Sequence, residues 1–135
     1  MKKVFVFLLI LLLNTNLLQA QWQQTTGPNS TEIRALTTLD SYTFSGTWGG
    51  GVYRLSDNGE NWTAVNNGLT NKTICALAVV GTNMFAGSEG GGVFRSTDYG
   101  NNWSRVNTGL TNNYIQDFLV LGTDIFAATW GGGIF

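Results

Sequence analysis

One spacing constrains this chain more than anything else in it. The segments WGGGVYR, EGGGVFR and WGGGIF begin at Trp48, Glu89 and Trp130, each 41 residues after the one before. The apolar runs that begin at Ile33, Ile74 and Ile115 keep the same interval, as do Trp62 and Trp103, and Gly68 and Gly109. Trp22 stands 40 residues before Trp62, so the first copy is one residue short. Separate landmarks on one interval mean tandem structural units, each burying its apolar faces only against its neighbours.

One period reads as four short strands. In the second copy they are predicted over about 74–80, 84–88, 92–96 and 103–107, separated by GTN, EGG and DYGNN, all turn-forming. No stretch after residue 20 keeps a helical apolar period. The first strand is apolar on both sides (ICALAVV, IQDFLVL), which predicts cover on both faces. The second mixes aromatic with small residues (YTFSGT, MFAGS, IFAAT), which lets neighbouring sheets approach closely. Four-stranded units of this length, packed face to face around an axis, are blades of a β-propeller. The expected fold is all-β: a propeller segment of about three four-stranded antiparallel blades, with repeats over about 22–61, 62–102 and 103–135.

The first twenty residues stand outside that pattern. Lys2 and Lys3 precede a ten-residue apolar run from Val4 to Leu13, and Ala20 closes a Leu-Gln-Ala site before a polar chain. This is the layout of a secretory signal peptide cleaved after Ala20. The run is too short to span a bilayer. The expected location is therefore secreted or periplasmic, with no membrane span once the signal is removed. Residues 21–135 carry 5 basic and 8 acidic side chains, a net charge of −3, which excludes a nucleic-acid-binding surface of the usual basic kind. Cys75 is the only cysteine, so no internal disulfide can form, and its place in ICALAVV predicts a buried, inert thiol.

The octet STDYGNNW, residues 96–103, has a near copy, LSDNGENW, 41 residues earlier. It resembles the Asp box of the BNR-repeat propellers, a group that includes bacterial sialidases, sortilin-type receptors and photosystem II assembly-factor-like proteins. Ser96, Asp98, Gly100 and Trp103 match in the second box. Asp57, Gly59 and Trp62 match in the first, which has Leu55 in place of Ser. The resemblance covers essentially all of residues 21–135. It implies a structural turn lying away from the ligand face. The residues support that role: Asp at a turn start accepts backbone N–H groups two residues on, Gly supplies positive φ, and Trp is expected to bury its ring against its own hairpin. An EF-hand reading fails for want of further acidic ligands and a closing Glu.

Catalytic residues are not predicted. A sialidase-type site needs an arginine cluster, and of the four Arg after residue 20, Arg54 and Arg95 share one repeat position. The GGG runs are followed by no Lys-Ser/Thr, so they are not phosphate loops. With no His and one Cys, no metal or cofactor is expected. Strand alternation places the loops NNGLTNKT, NTGLTNNY, TWGGG and SEGGG on one face and the octets on the other. On the first face the copies differ: Trp48, Glu89 and Trp130 at one position, Arg34, Cys75 and Gln116 at another. Scaffold positions repeat, whereas site positions are free to diverge. Trp48, Glu89, Trp130, Arg34 and Gln116 are thus the ligand-face candidates, the Trp rings as platforms for a glycan or protein ligand, or as packing over the glycines. A non-catalytic scaffold or binding module is the expected role; the alternatives are a piece of a sialidase-like exo-glycoside hydrolase and an assembly factor for an envelope complex. Propellers close with four to eight blades. The expectation is therefore either a longer reading frame, with the Trp22 segment as a closing strand, or self-association of three-blade chains into one ring.

Overall fold

The computed structural model describes residues 24–28, 32–55, 59 and 61–135. The signal segment, Trp22, Asp57 and Glu60 lie outside the described residues. Eleven strands follow one another, and no helix occurs among the described residues. The first sheet holds β1 (Ile33–Leu39), β2 (Tyr42–Thr47), β3 (Gly51–Leu55) and β4 (Trp62–Ala64) in that order. The second holds β5 (Ile74–Val80), β6 (Asn83–Ser88), β7 (Gly92–Ser96) and β8 (Ser104–Arg105). The third holds β9 (Ile115–Leu121), β10 (Asp124–Thr129) and β11 (Gly133–Ile134). All pairings are antiparallel, and β1 and β5 carry the same register shift, between Ile33 and Ala35 and between Ile74 and Ala76. β1 packs near β5 and β5 near β9, so the first strands line the inside of a curved stack. This is the expected propeller segment.

Small residues set the blade spacing. A β-carbon at Gly46 would run into Ile74, and one at Gly87 into Ile115. The inner strand of each following blade therefore rests on the glycine of the blade before. The main core lies between the first two sheets and includes Phe44, Val52, Val65, Leu69, Met84, Phe94 and Trp103. Only β5 alternates buried and half-buried positions along most of its length; on β1 and β9 Leu36, Leu119 and Leu121 are exposed. Cover on both faces was expected for every first strand. It needs a blade on each side, and among the described residues only β5 has two.

The octet closes on itself. The Ser96 hydroxyl donates to Asp98 Oδ1 (2.9 Å) and accepts from the backbone N–H of Gly100 (2.9 Å). The Asp98 carboxylate accepts from the backbone N–H of Asn102 (2.9 Å) and from its side-chain amide (2.8 Å). The carboxylate thus reaches four residues on, and it is the hydroxyl that Asp98's own N–H approaches. Gly100 sits at φ 81°, where a β-carbon would be strained. The octet also grips the preceding blade. Tyr99 donates its hydroxyl to Asp40 (2.7 Å), and Arg54 donates to the Tyr99 carbonyl (3.0 Å) and to the Asn101 side chain (3.2 Å). Trp103 corrects the sequence reading. Its ring joins the core between the first two sheets, and its indole N–H donates to the Val65 carbonyl at 2.8 Å. A ring that large has more apolar surface to meet across the blade interface than along its own short outer strand.

Asp98→Ala is expected to lower stability by about 1–3 kcal/mol, and Asp57→Ala by less, because Leu55 offers the first octet no hydroxyl. The two Asn102 hydrogen bonds, side chain first, hold the Asp98 carboxyl below the usual carboxylate range. A depressed folded value means that this stabilisation is present above the unfolded pKa of about 3.9 and fades as pH falls through the folded value. Urea midpoints measured at pH 6 and pH 3 should therefore fall further in the native chain than in Asp98→Asn. Equal falls would contradict the assignment.

Candidate functional site

The 41-residue period decides what meets at the inner end of the blades. Directly after the second strand of each sheet, the backbone is held by the same bonds. Trp48 N–H donates to the Glu32 carbonyl (2.9 Å), Glu89 N–H to Thr73 (3.0 Å) and Trp130 N–H to Tyr114 (2.9 Å). The GGG turn beyond is tied by Thr47, Ser88 and Thr129, whose hydroxyls donate to the carbonyls of Gly51, Gly92 and Gly133, each at 2.9 Å. Asn71 and Asn112 reach from the inter-blade loops to the carbonyls of Glu89 (2.8 Å) and Trp130 (2.9 Å). The inter-blade loops and the GGG turns therefore share a face, as the strand directions required.

On that face lies a cleft of about 240 Å³, lined by Arg34, Trp48, Glu89, Tyr114, Gln116 and Trp130. The three sheets contribute two side chains, one and three, in chain order. The structure brings all five sequence candidates to this cleft. Tyr114 is the member that sequence reasoning missed. It occupies the repeat position of Glu32 and Thr73, and that divergence was the signal that could have found it. Cys75, the repeat partner of Arg34 and Gln116, does not line the cleft. It is half-buried rather than enclosed, and its thiol is pushed up by burial and then by Glu89, with Arg34 acting the other way.

The cleft has an aromatic wall and one unsatisfied acceptor. Trp130 is 73% exposed and Tyr114 51%. The Arg34 guanidinium lies 4.2 Å from the centre of the Trp48 ring, and its Nε meets Glu32 at 2.9 Å in a pair open to solvent. Arg34 and Trp48 therefore stack on each other, which fixes the Trp48 ring as a wall. Glu89 Oε2 is buried and accepts no hydrogen bond from any described residue. A buried carboxylate oxygen without a donor is costly. A ligand N–H or O–H that reached it would remove that cost. Such a cleft can hold a ligand by stacking and by hydrogen bonding at Glu89; among the described residues no group of acidic, His or Cys side chains could hold a metal ion.

The chain is similar in structure to YCF48 from Cyanidioschyzon merolae, with a TM-score of 0.65 and 22% identity over 85% of this chain and 36% of that one. It is also similar to the computationally designed Ika8 protein, with a TM-score of 0.59 and 16% identity over 76% of this chain and 32% of that one. The chain thus spans about a third of the length of each of these two structures. No protein-family model and no curated protein matches the sequence. At these identities the likeness concerns the fold, which is that of a propeller.

Proposed function

We propose that the chain is part of a BNR/Asp-box propeller that works outside the cytoplasm as a non-catalytic scaffold or binding module, with its ligand, a glycan or a protein, held in the cleft of Trp130 and Glu89. One observation carries this reading: three successive blades place their divergent side chains around one cleft, while the bonds beneath them repeat. The likeness to YCF48 supports the propeller scaffold on which the reading rests. The second octet supports the Asp-box assignment through its closed Ser96–Asp98–Asn102 network. The signal-like first twenty residues support export.

The ligand stacks a flat face on Trp130 and donates a hydrogen bond to Glu89. Sugar rings and the amide-bearing side chains of a protein both offer this combination. The test is binding on a glycan array and to extracellular proteins, followed by titration of whatever binds. Trp130→Ala and Glu89→Gln are each expected to weaken binding about tenfold or more. Affinity unchanged in both variants would move the site elsewhere. Release of a free sugar during the titration would replace the binding role with that of a hydrolase.

A further inference from the structure

The three sheets give one backbone arrangement three different sets of side chains, and the first set is complete in itself. Arg34 lays its guanidinium 4.2 Å from the centre of the Trp48 ring, and its Nε meets the Glu32 carboxylate at 2.9 Å. A cation is thus held between an aromatic face and a carboxylate. Two periods later the places of Glu32, Arg34 and Trp48 are taken by Tyr114, Gln116 and Trp130. The backbone that carries them is unchanged. Ile115 faces Thr129 as Ile33 faces Thr47, and the Trp130 N–H bonds to the Tyr114 carbonyl as that of Trp48 bonds to Glu32. The third sheet keeps the ring and lacks the cation: Gln116 is neutral, and among the described residues no Arg or Lys stacks on Trp130.

The carboxylate comes from the middle sheet. Glu89 and Tyr114 form an antiparallel bridge between the second and third sheets, and the Gly90 N–H beside it donates to the Asn113 carbonyl (3.0 Å). The Tyr114 ring lies over Gly90, where an added β-carbon would meet it at 3.6 Å. These contacts lie inside the stack, between two successive sheets. They bring Glu89 to the aromatic wall of the cleft, where its Oε2 is buried without a donor. Arg34 does not answer that oxygen. Its guanidinium is engaged by Glu32 and Trp48, and no ion pair forms at Glu89 among the described residues.

We infer that the cleft takes the guanidinium of an arginine side chain presented by a partner protein; this rests on the cleft reading above and names its ligand. The guanidinium stacks on Trp130 as that of Arg34 stacks on Trp48, and it donates to Glu89 Oε2 as Arg34 donates to Glu32. A guanidinium is planar and carries its donors around its edge, so it offers a face to a ring and an edge to a carboxylate at once. It also brings the positive charge that Glu89 lacks. A sugar hydroxyl or a neutral amide would donate to the buried oxygen and leave its charge unmatched. A hydrogen bond from a charged donor is roughly twice as strong. An ammonium carries the charge without the flat face.

The test is the titration of the full chain with N-acetyl-arginine amide, read from the indole N–H signals in proton–nitrogen NMR spectra. The Trp130 signal is the one lost in Trp130→Phe. Saturable shifts of that signal are expected. N-acetyl-citrulline amide has the same flat shape and N–H groups without the charge, and it should bind at least about tenfold more weakly. Glu89→Gln should weaken arginine binding by a similar factor. Gln116→Arg should rebuild the Arg34 arrangement on Trp130 from within the chain and abolish binding of the probe. Absence of saturable binding overturns the inference, as does arginine binding unchanged in both variants. Equal binding of the arginine and citrulline probes, or a glycan bound at Trp130 in place of arginine, overturns it and leaves the cleft reading in force. Tighter binding of free arginine than of the blocked form would replace the partner protein with a free amino acid. The cleft reading falls as well only where Trp130 responds to none of these probes.

Discussion

Trp103→Ala should destabilise the chain by about 3–5 kcal/mol, the largest loss expected for any single truncation in it. The ring is 4% exposed and sits where the first two sheets meet. Its removal leaves a cavity between two blades whose backbones are held apart by other contacts, so the site can collapse only in part. The Val65 carbonyl also loses the indole N–H. Trp62 is the control. It is half-buried, and its indole N–H meets no acceptor among the described residues. Trp62→Ala should therefore cost clearly less. Guanidinium denaturation of the two variants beside the parent decides the matter. Losses of equal size would mean that the repeat position, and not the blade interface, sets the cost.

Gly68→Ala should cost about 2–5 kcal/mol, the sum of two separate effects. Gly68 holds φ at 84°, a left-handed geometry that a side chain resists. An added β-carbon would also collide with the carbonyl of Trp103, and a backbone carbonyl cannot rotate away as a side chain can. That carbonyl belongs to a residue whose own N–H is bonded to Asn67, so the clash loosens the blade interface directly. Gly109 separates the two effects. It has the same sign of φ, 88°, but a β-carbon there would meet nothing. Gly109→Ala should lose only the conformational share, about 1–2 kcal/mol. Thermal or denaturant unfolding of the pair gives the collision cost by difference, and a difference near zero would remove it.

Much of the fold was legible in the sequence because the period of 41 is carried by residues with fixed backbone duties. The strands predicted over 74–80 and 92–96 have those bounds in the structure. The outer strand was overestimated: pairing in β8 is confined to Ser104 and Arg105. Beyond them Val106 bonds back to Val93 and the Asn107 side chain, not its backbone, continues the edge. The direction of Trp103 was not legible either, since local pattern describes a residue's own hairpin and says nothing about which neighbouring sheet lies within reach. The cleft became legible through difference and not through similarity. Trp48, Glu89 and Trp130 stand out because the glycines beside them do not change. Tyr114 was passed over because its repeat partners, Glu32 and Thr73, lie just ahead of the strand landmarks that defined the alignment. The unsatisfied Glu89 oxygen is a property of three-dimensional burial that no spacing reports.

The backbone anchoring of Trp48, Glu89 and Trp130 has a bearing on how such a chain changes over time. Each of these residues is held through its backbone, by its amide N–H and, at Glu89 and Trp130, also by its carbonyl, bonds that any residue but proline can make. The side chain at each position is therefore released from the duty of keeping the turn in place. Two of the three are tryptophans and one a glutamate, and the turns beneath them have the same hydroxyl-to-glycine tie. In the proposed binding role of the cleft, substitutions there alter what is recognised while leaving the folding free energy nearly untouched. Recognition and architecture are in this way free to evolve independently, one position per blade.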